Sequence, residues 1–190
     1  MANVDSRDKA VHLRSPVDLF KKLLWEVDGI SKTVIKNPVA QANLTIGAAL
    51  SLWHLCDWLA VDLGNDGARW KAVSAHLRAK VSNHRELQDV ARAVRSVRAA
   101  EQIANASKHV QLWSNVADAG VSSELRTLKG AAINLDDDSP TVKFEHQIVL
   151  IEIDGDFFSP LQISDEGADW WRGVLAAAGY DVPPGPNFIE

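Results

Sequence analysis

Two short runs in this chain combine side chains able to move a proton at neutral pH with a side chain able to hold negative charge. One is Trp53-His54-Leu55-Cys56-Asp57-Trp58 and the other is Asn105-Ala106-Ser107-Lys108-His109. An imidazole is the ordinary general acid or base near pH 7. A carboxylate one helical turn away, as Asp57 is from His54, raises the imidazole pKa and fixes its tautomer. Three readings of these residues stay open. They form an acid–base site; or Asp57, Asn105, Lys108 and His109 form a hydrogen-bonded pin between two helices, with the cations near the last carbonyls of the second helix; or His54, Asp57 and His109 supply two imidazoles and a carboxylate to a metal. The expectation taken forward involves no metal and no cofactor.

Each run makes sense only on a helix. At about 100° per residue, Asn43, Ser51, Asp57 and Trp58 fall within about 60° of His54, and Cys56 lies on the far side, which argues against a Cys-His nucleophile. From Leu87 to His109 the same periodicity puts Leu87, Val90, Ala91 and Val94 in one sector, which Arg98, Glu101, Asn105, Lys108 and His109 continue. A face that begins as core turns into a row of polar and titratable groups, and burying those groups is costly unless each finds a partner. The two rows meet only if their helices are neighbours.

The elements that would hold them are marked along the chain. Ser15-Pro16 is a helix start, and Val17, Phe20, Leu23, Leu24, Val27 and Ile30 follow at helical spacing, which predicts a helix from Pro16 to Val34. Asn37-Pro38 repeats the signal and opens a helix apolar almost all round, to Leu63, the buried central one. A third is expected from Ala68 to Val81 and a fourth, long one from Arg85 to Lys108 after a break at Ser82-Asn83-His84. Val142, Phe144, His146, Ile148 and Leu150 then alternate with polar residues, the period of a strand, and Asp154-Gly155 marks a hairpin turn before Phe157-Phe158. An earlier strand is expected within Ser122 to Asn134, an acidic loop over Leu135 to Pro140, and a last helix opening at Ser164-Asp165-Glu166 and ending at Gly179. Ala168, Trp171, Val174, Leu175 and Ala178 form its apolar stripe. Trp25, Trp70, Trp113, Trp170 and Trp171 read as packing anchors, except that one of the adjacent pair must face away and mark a partner surface.

These elements predict a mainly α chain: an antiparallel four-helix bundle with a small antiparallel β-hairpin or sheet and a C-terminal helix. The expected organisation is an extension over residues 1–15, a bundle over 16–110, a β appendage over 111–163, a C-terminal helix over 164–180 packed on the same unit, and a tail over 181–190. With 190 residues, 46% of them hydrophobic and 24% charged, the chain has enough material for one core. No apolar run approaches the ~20 residues without charge expected of a membrane span, so no membrane partner is expected. The first fifteen residues lack the apolar stretch of a signal peptide, and the one cysteine, Cys56, leaves no disulfide framework; both favour the cytoplasm. No phosphate-cradling glycine loop and no Gly-x-Ser-x-Gly elbow is present. The charge is unevenly spread. Nine Lys or Arg against three acids between Arg69 and His109 give that segment an excess of +6 in a chain of net −5, leaving −11 elsewhere. Such a segment is either a solvated helix face or a surface for a phosphate backbone.

The Trp53-to-Trp58 run on one helix, the Ile103-to-His109 run on another, and the hairpin and helix after them resemble a group of small bacterial and phage proteins whose helical part is similar to HEPN bundles. The likeness covers about residues 16 to 175. The resemblance implies a bundle, often dimeric, that in many members cleaves RNA without metal, using an arginine, a following polar residue and a histidine a few positions on. Here His109 is the matching histidine, Arg98 stands eleven positions upstream, and Asn105 and Lys108 occupy the nearer positions. A ribonuclease on this plan would use His109 as base or acid, His54 backed by Asp57 as its counterpart, and Lys108 with Arg98 against the phosphorane charge. Arg92, Arg95 and Arg98 would bind the substrate. The resemblance thus implies an RNA-directed protein of bacterial stress or phage conflict and a homodimer, the alternative being a noncatalytic module that meets a protein partner.

Overall fold

The structure is a computed structural model, and it describes residues 13–33, 37–108, 118–132 and 142–185. Its described elements are six helices and a three-stranded antiparallel sheet. His109, Trp113, the acidic loop over Leu135 to Pro140, most of the N-terminal extension and the end of the tail lie outside the described residues.

Helix α1 (Pro16–Thr33) starts where Ser15 and Asp18 cap each other: Asp18 N donates to Ser15 Oγ at 3.2 Å, and Ser15 N to the Asp18 carboxylate at 3.0 Å. Phe20, Leu23, Leu24, Val27 and Ile30 are all buried. Helix α2 (Pro38–Leu63) is capped by Asn37, whose side chain accepts from Ala40 N, and it stops at Gly64 with φ 47°. It is the central helix, as its composition predicts: α1, α5 and α6 pack along it and α4 meets it as well. Among the described residues α2 is the one helix long and apolar enough to cross a membrane, and half of that apolar stretch is covered by the fold.

Helix α3 (Gly67–Leu77) is shorter than its predicted span, because Arg78 turns into the left-handed region at φ 50° and Ser74 Oγ then binds Val81 N at 3.1 Å, folding the chain back on the helix. The predicted long helix from Arg85 to Lys108 is two helices, α4 (His84–Arg92) and α5 (Arg95–Lys108). At the joint, Ala93 N and Val94 N bond to Val90 O and Ala91 O, which tightens the last turn of α4, and Val94 O then receives Arg98 N to begin α5. Neither proline nor glycine marks the joint in sequence. The continuous sector expected from Leu87 to His109 is therefore interrupted.

Strands β1 (Val121–Ala132) and β2 (Val142–Ile153) pair antiparallel with Val121 opposite Ile153, and β2 continues into β3 (Asp156–Phe158). The turn between them is the expected two-residue one: Asp154 at φ 54° and Gly155 at φ 92° give the primed geometry that matches strand twist. Ile151 and Ile153 pack with Ala99 and Ile163 in a small second core beneath the sheet.

Helix α6 (Pro160–Ala177) begins a full turn before the predicted Ser164. Ser159 caps it reciprocally with Gln162, Pro160 fills its first turn, and Ser164 is buried inside it. Ala168, Trp171, Val174, Leu175 and Ala178 are buried as the stripe requires. Contacts run in a closed cycle through α1, α2, α5 and α6, so the C-terminal helix takes a place in the bundle that the sequence assigned to shorter elements. One tryptophan assignment changes: Trp25 is 54% exposed. Of the adjacent pair, Trp171 is buried and Trp170 is half-buried, its ring edge-on to Trp171 at 4.8 Å.

Candidate functional site

The geometry of the polar rows follows from these helix positions. Helices α2 and α5 are neighbours, the condition for the rows to meet, yet Ser51, Asp57, Arg98 and Glu101 bond to residues of other elements. Ser51 and Asp57, six residues apart, differ by about 120° around the helix, enough to face two different neighbours. Ser51 Oγ donates to Glu26 on α1 at 2.7 Å, whereas Asp57 Oδ1 lies 2.7 Å from His84 Nε2 at the start of α4. The carboxylate expected to serve His54 thus also meets His84 from another helix. His54 itself is half-buried and Asn43 is exposed. Cys56 is fully buried, and burial pushes its thiol up, with the Asp57 charge adding to the effect, so a thiolate nucleophile is disfavoured there.

On α5 the inward positions are Val97, Ala100 and Ala104, and Glu101 joins them at 8% exposure. That buried carboxylate is satisfied by Arg92 from across the α4–α5 joint, with Nε to Oε2 and Nη2 to Oε1 both at 2.9 Å. The same guanidinium lies 5.2 Å from the Trp53 ring centre, and the bond to Glu101 holds its pKa above the ordinary arginine value. Arg95 bonds Glu166 of α6 at 2.7 Å and stacks over Phe158 of β3. Arg98 bonds Asp154 in the β2–β3 turn and sets its Nε 3.4 Å from Asp118 before β1. The three arginines expected to bind substrate are therefore each engaged by a carboxylate, tying α5 to α4, α6 and the sheet in turn. Asn105 is half-buried on α5 and Lys108 is the last residue of that helix; His109 lies outside the described residues. Among the described residues no group of three His, Cys, Asp or Glu could hold a metal ion.

Positive charge without a carboxylate sits elsewhere. Lys71, Arg78, Lys80 and Arg85 are exposed and form no ion pair among the described residues. Lys71 and Lys80 border a groove of about 600 Å³ between the α2–α3 turn and the α3–α4 link, floored by Trp70 and Val81. The Trp70 indole N–H is fixed to Gly64 O at 3.0 Å. The charge count from Arg69 onward points to this region, but which cations stay unpaired depends on the α4–α5 joint, which sequence does not show. Two further clusters went unread in sequence. Lys22, Glu26 and Ser51 form a network between α1 and α2, and Arg69, Asp62 and Tyr180 close the α2, α3 and α6 ends. Glu26 interrupts the apolar spacing Leu23, Val27, Ile30, and that interruption was the available signal.

Comparison of the chain with protein-family models, with curated proteins and with solved structures finds no match.

Proposed function

We propose that this chain is an RNA-binding helical protein, HEPN-like in its bundle, that holds RNA through the exposed cations of α3 and the start of α4 and does not cut it. The observation that carries the reading is the division of its basic residues. Arg92, Arg95 and Arg98 are spent on Glu101, Glu166, Asp118 and Asp154, while Lys71, Arg78, Lys80 and Arg85 are exposed and form no ion pair among the described residues of an acidic chain. Free lysines and arginines are what a phosphate backbone displaces its counterions for. Phosphoryl chemistry would instead need a cation aimed at the reacting phosphate beside an acid and a base, and the nearest arginines are turned into carboxylates. The polar row on α5 serves as a pin between elements. A homodimer in the cytoplasm, working in bacterial stress or phage conflict, belongs to the same proposal by resemblance.

The test is incubation of end-labelled single-stranded RNA with purified protein in EDTA, read by native and by denaturing gel, with Lys108→Ala and His109→Ala beside the parent and checked for folding. Retarded, intact RNA in all three is expected. Cleavage by the parent that folded variants lose would replace the binding reading with a metal-independent ribonuclease.

A further inference from the structure

We infer that the groove between the α2–α3 turn and the α3–α4 link is a phosphodiester subsite for single-stranded RNA, with Lys71 and Lys80 as its two phosphate contacts. The inference rests on the RNA-binding reading above and gives it a place. Ten residues line the groove and none is acidic, in a chain with 25 Asp and Glu. Two carboxylates close to it in sequence are held by local donors, and the charge of Glu86 also acts on Lys80. Asp66, in the α2–α3 turn, accepts from Ala68 N and Arg69 N as the cap of α3, and Glu86 of α4 accepts from Ser82 N and Ser82 Oγ at 2.8 Å. The lining itself thus presents two ammonium groups and no carboxylate to an entering anion.

The walls are set before any ligand arrives. Ser74 Oγ donates to Ala79 O and accepts from Val81 N, so the link carrying Lys80 is fastened to the helix carrying Lys71. Val81 is buried and anchors the link from the other side. What is held in place is the backbone beneath each lysine, and the side chains remain free to close on a charge. Lysine is a compact point charge without the flat fork that matches a carboxylate in two bonds, and two such charges flanking an open, partly apolar groove suit a flexible phosphate chain. Arg78 and Arg85 flank the link in sequence and extend the positive field beyond the groove.

The test uses fluorescence anisotropy of a labelled oligouridine with the full chain over a range of salt, for the parent, the Lys71→Gln/Lys80→Gln variant and the Lys71→Arg/Lys80→Arg variant. Each phosphate contact on a single strand contributes about 0.7 to the slope of log affinity against log salt. The glutamine variant should thus lose about 1.4 in slope and bind ~25-fold more weakly at 0.1 M salt, while the arginine variant keeps the slope. Both lysines are exposed, so the variants should keep the fold, which an unchanged circular dichroism spectrum checks. RNA bound with the parental slope by the glutamine variant would overturn the groove and leave RNA binding intact. A parent that binds no oligouridine at any salt overturns both. Lysine-dependent binding of polyglutamate in place of RNA would also overturn the proposal, and assign the groove to an acidic protein.

Discussion

Glu26 is a carboxylate placed where an apolar side chain would ordinarily sit, 4% exposed on the face of α1 that carries Leu23 and Val27. It is tolerated because Ser51 donates to one oxygen at 2.7 Å and Lys22 reaches the other from the rim, itself 2.9 Å from Ser51 Oγ. Gly47 leaves the space, since a Cβ there would stand 2.2 Å from Glu26 Oε1. Gly47→Ala should therefore destabilise the protein by about 2 kcal/mol through displacement of a buried charge, although alanine at a helix interior is worth about 1 kcal/mol in the opposite sense. The urea midpoint measures this, and a midpoint at or above the parent's would mean that Glu26 moves aside without loss. A second residue-level asymmetry separates a pin from a working site. The Glu101 side chain is 10% exposed and that of its partner Arg92 is 42% exposed, so removing the arginine strands a buried carboxylate, whereas removing the carboxylate leaves an arginine that reaches water. Arg92→Met should cost about 2–3 kcal/mol and Glu101→Gln about 1. Equal costs for the two in denaturant titrations would count against the pin.

At the scale of elements, Tyr180 joins three helix ends. Its hydroxyl donates to Asp62 of α2, Arg69 of α3 sits 4.6 Å from its ring centre, and Arg69 Nε reaches Ala178 O at the end of α6 at 2.8 Å. Burial, with the bond to Asp62 adding to it, pushes the Tyr180 phenol up from its ordinary value near 10 to about 12. A phenol that resists ionisation in the folded state contributes stability that is complete below pH 10 and is lost as the pH rises toward 12. The parent should lose stability across that window more steeply than Tyr180→Phe, which has no proton to give up there. Parallel slopes in alkaline denaturation would disconnect the phenol from the junction. The elements themselves were legible wherever a local signal fixes backbone conformation: Ser15-Pro16 and Asn37-Pro38 open α1 and α2, and Asp154-Gly155 turns β2 into β3. Ser159-Pro160 carries the same start signal as Ser15-Pro16, with Gln162 completing it, and the acids at Asp165 and Glu166 drew attention from it. The joint at Ala93 and Val94 had no such signal, since both residues suit a helix interior and the break is fixed by packing and by Arg92 reaching back to Glu101. For the same reason the contact of Asp57 with His84 was not legible: helical spacing places neighbours on one helix, but His84 comes from another.

For the whole molecule, the consequence is a sheet fastened to a helical body at the end where β1 begins and β2 ends. The large core belongs to the helices, while the described contacts of the sheet with them include the small cluster of Ala99, Ile151, Ile153 and Ile163, the arginines of α5, and Gln41 of α2, which accepts from Val149 N at 3.4 Å. Arg98 is central to that end, bridging Asp118 and Asp154 at the two places where the chain enters β1 and leaves β2. Asp154 N also bonds Gly120 O at 2.7 Å, so the bridge closes on a turn already in place. The pairs are partly exposed, so each is worth at most about 1 kcal/mol. That is enough to change how often this end of the sheet lifts while the helices stay closed, because local opening is governed by the contacts of the opening unit alone. Arg98→Gln should accelerate exchange of the amides at this end of the sheet about 5–30-fold, the change expected for 1–2 kcal/mol of local stability, and leave the amides of Leu52 to Leu59 in α2 at the parental rate. High salt should move the parent in the same direction and the variant much less, since screening acts on the charges the substitution removes. If the α2 amides accelerate as much as those of the sheet, the sheet and the bundle open together, and the arginines of α5 stabilise one cooperative unit instead of holding an appendage to it.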